Sequence, residues 1–242
     1  MILAAFIALE FALVALAGSR ARSRDIIGAG VFANTTLIVM YAPLLIEAGG
    51  GYVINIGSVF YSGLVACQIV VLERYGPLVA RNALPAVLWC LAVLIVACSL
   101  VNYIPVVAGN EVYSDLAKAF SKFEVNNAIG RFSAFLVSQM IMIASYTAIR
   151  ERVGQRLAVV LAMVLCQFVD TPIGVLIVFR GINAVPNLTE FIIVLFLARV
   201  GIGLILTPAI FLALWLADRA QAVGGGQSPG LYPARYASTN RR

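Results

Sequence analysis

Histidine is absent from this chain, and only 12% of its 242 residues are charged. Without histidine the commonest metal ligand and general base are both missing. That argues against zinc enzymes and Ser-His hydrolases. So little charge cannot cover the surface of a soluble domain of this size. Cysteine is scarce too: Cys67, Cys90, Cys98 and Cys166, none in a C-x-x-C pair. All four fall inside apolar runs and read as small buried side chains, not as disulfides or metal ligands. No lysine lies in an apolar run, which excludes a retinal Schiff base. No nucleotide-binding motif occurs, so the chain does not itself hydrolyse ATP. These absences leave no expectation of a cofactor, a metal or an enzyme.

What is present is apolar: 62% of the residues are hydrophobic. The chain reads as an all-α, polytopic membrane helical bundle. Apolar runs predict seven transmembrane helices near residues 2–17, 26–46, 52–72, 83–107, 128–149, 157–179 and 191–216. The first is an extra N-terminal helix on a six-helix core. It ends in Ala15-Leu16-Ala17, which mimics a signal-peptidase site. It has no basic start, carries Glu10 mid-run and is followed by arginines, so a retained helix is expected.

The net charge of +6 raises the question of nucleic acid. Its distribution answers it, because the arginines cluster at span ends. Arg20, Arg22 and Arg24 follow the first run, Arg74 and Arg81 the third, and Arg150, Arg152 and Arg156 the fifth. The positive-inside rule then predicts an outer N-terminus and a cytoplasmic C-terminus in the cell's inner or plasma membrane. Residues 1–219 form one transmembrane domain, and 220–242 a flexible basic tail near anionic lipid. Val112, Leu116, Phe120 and Phe123 recur at near-helical spacing, as in a surface helix or a partly buried loop.

Asp170 lies deep in the sixth run, where a charge costs at least ~2.5–3.5 kcal/mol. The seventh run offers Arg199 as its partner. At ~1.5 Å per residue, Asp170 lies ~14 Å and Arg199 ~12 Å from the outer edge. Gln139 falls at a similar depth, and Asn34 and Gln68 a little deeper. Five polar side chains from five helices thus converge near the midplane, where transporters place substrate. Gln167 and Thr171 flank Asp170, and Ser138 precedes Gln139. Plainer roles exist for each. Asp170 and Arg199 make sense as a structural ion pair. Ser138 and Gln139 make sense as interhelical glue. Asn34, Thr35 and Thr36 can bond neighbouring backbone. Glu10 reads as a structural hydrogen bond, Arg131 as an interfacial anchor. Pro172 and Pro208 are expected to kink their helices and open the site.

Several blocks resemble the vitamin-uptake-transporter-like family of queuosine precursor transporters. They are Ala33-Asn34, Gly57-Ser58-Val59-Phe60-Tyr61, Glu73-Arg74-Tyr75-Gly76 with Ala80-Arg81, Ala134-Phe135-Leu136-Val137-Ser138-Gln139, Gln167-Phe168-Val169-Asp170-Thr171 and Thr207-Pro208. Arg199 stands where the family usually has a basic residue. The chain departs from the family at Gln68, Met142 and Leu206, each in place of an acidic residue, and in having Arg131 as the nearest arginine to Asn126.

The resemblance implies uptake of a 7-deazaguanine: the cyano or aminomethyl queuosine precursor, or queuine. One carboxylate, Asp170, can accept a ring N–H and an exocyclic amine together. Gln139, Asn34 and Gln68 would serve the other edge, and Tyr61 or Phe135 would stack on the ring. The expected partners are this small molecule and the lipid bilayer, with no nucleic acid; a homo-oligomer is compatible with the sequence. The alternative is a substrate-binding membrane subunit energised by a separate ATPase, which co-purification with one would reveal.

Overall fold

The computed structural model describes residues 2–19, 33–34, 37–38, 45–47, 53–100, 125–179 and 187–223. Most of the second apolar run, the segment around Val112, Leu116, Phe120 and Phe123, Thr35, Thr36 and the basic tail lie outside the described residues. Four helices and one small hairpin are described: α1 (Ile2–Ser19), β1 (Leu45–Glu47), β2 (Val53–Asn55), α2 (Gly57–Leu100), α3 (Val125–Phe179) and α4 (Leu188–Val223). Three of them, α2, α3 and α4, are long and apolar enough to cross a membrane; α1 is apolar but shorter.

α2 and α3 are each two arms. Straight, α3 would be about 83 Å long, more than twice a bilayer's thickness. It breaks at Gly154 (φ 79, ψ 168), and α2 breaks at Gly76 (φ 84, ψ 172). These angles are open to glycine and closed to side chains that carry a Cβ. Gln139 and Cys166, on the two arms of α3, touch at 3.3 Å. An unbroken helix would hold them ~40 Å apart, so α3 doubles back as a hairpin. On α2, Ala80, Leu84, Val87 and Leu91 line one face of the second arm and join the same buried cluster as the first arm.

The first arm of α2 is the axis of the molecule. Every residue from 56 to 72 is buried, polar or not. A helix enclosed on all sides shows no apolar stripe, because each face has a protein neighbour. Large apolar side chains instead face outward on the surrounding helices: Leu136, Val137, Met140 and Ile141 on α3, and Ile193, Leu197, Leu204 and Ile205 on α4.

The hairpin corrects two predicted boundaries. Helix was expected to run to residue 46 and to resume at 52, yet β1 and β2 pair antiparallel there, Ile46 opposite Ile54 and Glu47 opposite Val53. Gly49, Gly50 and Gly51 disfavour helix between them, and β-branched Ile46, Val53 and Ile54 suit strands. α4 has a capping box at its start. Asn187 Oδ1 accepts from the Glu190 backbone N–H at 3.2 Å, and the Asn187 amide donates to Glu190 Oε2 at 3.3 Å. Pro172 and Pro208 sit inside helices whose angles stay helical around them.

Candidate functional site

One charge pair crosses the interior. Arg199 on α4 holds Asp170 on α3, Nη1 to Oδ2 at 2.5 Å, with side chains only 14% and 7% exposed. The same Nη1 donates to Thr171 Oγ1 at 3.3 Å, and Nε donates to Ser58 Oγ at 3.2 Å. The guanidinium also lies over the Tyr61 ring, 5.0 Å from its centroid. Arg199 is thereby fixed by α2 and α3 at once. Neither charge would be affordable alone, since breaking a buried pair leaves an isolated ion.

A neutral layer continues from the pair. The Tyr61 hydroxyl lies 3.1 Å from Ser138 Oγ and 3.7 Å from Cys166 Sγ. Its ring meets Phe135 edge to face, with centroids 6.4 Å apart. Gln139 donates to Cys166 Sγ at 3.3 Å. Gln167 donates to Ser62 Oγ at 3.4 Å, and Ser62 Oγ donates back to the Ser58 carbonyl at 3.0 Å. Each glutamine spends its N–H this way and leaves an acceptor over: Oε1 of Gln139 and Oε1 of Gln167 are buried with no partner. Unpaired buried acceptors are costly in a protein that has finished its own bonding. Here they flank a carboxylate and a guanidinium.

Eight of the ten residues singled out in the sequence therefore stand in one layer: Asp170, Arg199, Thr171, Gln167, Gln139, Ser138, Tyr61 and Phe135. Asn34 and Gln68 stand elsewhere. Asn34 donates to Cys67 Sγ at 3.7 Å, on the face of α2 turned away from Tyr61. Gln68 is seven residues after Tyr61, on the same face but ~10.5 Å along the axis; both its amide atoms are buried without a partner. Ser58, Ser62 and Cys166 belong to the layer and were not foreseen. Ser58, Tyr61 and Ser62 share a helical face by their spacing, but serine is so common in spans that spacing alone could not single it out.

The opposite end has its own polar hub. Glu73, just before the Gly76 break, accepts from the Tyr146 hydroxyl and, at 3.0 Å, from Gln155, and pairs with Arg150 at 3.0 Å. Arg74 pairs with Asp218 at 2.7 Å. The two glycine bends are thus tied side by side. From Tyr61 to Glu73 is ~18 Å along α2.

Chemically, the layer gathers a carboxylate, a guanidinium, hydroxyls and two spare amide acceptors in one place. No curated protein and no solved structure matches the chain. A family model described as "Putative vitamin uptake transporter" matches residues 55–213, which is more than half of the chain and includes every residue of the layer. On that match, and with helices built to cross a bilayer, this chain belongs to the vitamin uptake transporter family.

Proposed function

We propose that this multi-pass membrane protein carries a small planar heterocycle into the cell, and that its substrate is a queuosine precursor of the 7-deazaguanine type, the cyano or aminomethyl form or queuine. The observation that carries this reading is the buried Asp170–Arg199 pair with spare amide acceptors beside it. A guanine-like edge has two donors, a ring N–H and an amine, that one carboxylate can accept together. The arriving ring takes Asp170 from Arg199, and the guanidinium turns to the ring carbonyl. The charges stay balanced in both states, so neither is stranded in the membrane. Tyr61 and Phe135 supply aromatic surface for the ring. The arginines at the Glu73 end, Arg74, Arg81, Arg150, Arg152 and Arg156, support a cytoplasmic placement of that end and an outer N-terminus.

Thermal unfolding of the purified protein across deazapurines, ordinary purines and vitamins tests the reading. A ligand that binds only the folded form adds about 2.7 kcal/mol at a hundredfold excess over its Kd. The deazaguanines are expected to raise Tm, and Asp170→Asn to abolish the rise. Silence across the deazapurines with a response to another class would remove the substrate assignment.

A further inference from the structure

On the far side of α2 from the ion pair, Glu10 is packed wholly inside the protein. Its carboxyl lies against Gly63: a Cβ placed on residue 63 would fall 1.6 Å from Oε1 and 2.2 Å from Cδ. Glycine at 63 makes the room in which this carboxyl sits. Asn34 lies alongside, with its Nδ2 turned to Cys67 Sγ. Both Glu10 oxygens and Asn34 Oδ1 are buried with no hydrogen-bond partner. All three are acceptors, and the donor at hand is the Asn34 amide. Turning the Asn34 amide over would serve one carboxylate oxygen and leave the other bare.

Among the described residues the surroundings supply no cation. α1 carries no other charge among its described residues. α2 presents Gly63 and the Cys67 thiol. α4 meets α1 through Ile202 and Leu206, and its arginine at that depth, Arg199, is committed to Asp170. A proton mends this arrangement: it neutralises the carboxylate and, as O–H, donates to Asn34 Oδ1.

We infer that Glu10 is a proton-binding site, taking up one proton as a neutral acid and releasing it as a carboxylate, and that this uptake is coupled to transport through α2. The coupling rests on the transport reading above. α2 connects the two sites, because its one enclosed arm carries Gly63 and Cys67 on one face and Ser58 and Tyr61 on another. Glu10 and Asn34 lie outside the family match of 55–213, while Gly63 and Cys67 lie within it.

Two measurements on the full chain in lipid vesicles test it separately. In infrared difference spectra across a pH titration, the carbonyl band of a protonated carboxyl is expected in the natural protein and lost in Glu10→Gln. Gly63→Ala, which displaces the carboxyl without removing it, is expected to shift that band. A titrating spectrum identical in the natural protein and both variants would overturn the site. Uptake of the aminomethyl 7-deazaguanine is then followed with and without an inward proton gradient. Acceleration by the gradient in the natural protein, lost in Glu10→Gln, is the expected result; acceleration that survives in Glu10→Gln overturns the coupling. If the natural protein carries no deazaguanine at all, the transport reading fails, and the infrared titration still decides whether Glu10 binds a proton.

Discussion

At Asp170 and Arg199, each charge is the reason the other can remain in the membrane. Removing either one leaves a buried ion with hydroxyls for company. Asp170→Ala and Arg199→Ala are each expected to cost about 3–5 kcal/mol. The double variant should lose less than the sum, by about 0.5–3 kcal/mol. Unfolding of all three in detergent completes the cycle; simple additivity would mean that the 2.5 Å contact carries no coupling. The pair was legible in the sequence because ionised groups are so expensive in hydrocarbon that two on facing runs single themselves out. Ser58, Ser62 and Cys166 were not, since small neutral side chains cost little anywhere in a bundle. Asn34 and Gln68 were legible as buried polar groups, but depth alone does not say which face of a helix a side chain occupies.

Among the elements, the two glycine breaks decide the architecture. A Cβ on Gly154 would meet nothing within 4 Å, and the same is true of Gly201. The backbone is bent at 154 and helical at 201. Gly154→Ala is therefore expected to destabilise by about 1–3 kcal/mol. Gly201→Ala should stabilise by about 0.5–1 kcal/mol. Equal shifts in Tm would contradict the bend. Hydropathy located both bends correctly as interruptions, near residues 73–82 and 150–156, because arginines gather there. It missed the strands Leu45–Glu47 and Val53–Asn55, since a short apolar run looks alike in helix and strand. Of the seven expected spans, the described residues give four helices, two of them broken at glycine.

Among the described residues, helices with outward-facing apolar side chains pack around one enclosed arm. Ile205 lies mid-way along α4 and is 52% exposed outside the bundle. Ile205→Arg should oppose insertion by about 3 kcal/mol in a membrane-insertion assay. Arg219 near the end of the same helix already sits comfortably, 4.2 Å over the Trp215 ring, so the penalty belongs to depth and not to arginine as such. A membrane helical bundle was legible in composition; which arm lay enclosed was not, because burial on every side erases the periodicity that marks an amphipathic helix.

That sheathed arm also has a bearing on how events at one place reach another. A rod gripped along its whole length has no free surface on which to absorb a displacement. Under the two proposals, a ring beside Tyr61 and a protonated carboxyl against Gly63 would both bear on this one shaft, which ends near Glu73, beside the two bends. Cargo and acid would then be two handles on one lever, anchored at its far end by the Glu73 contacts.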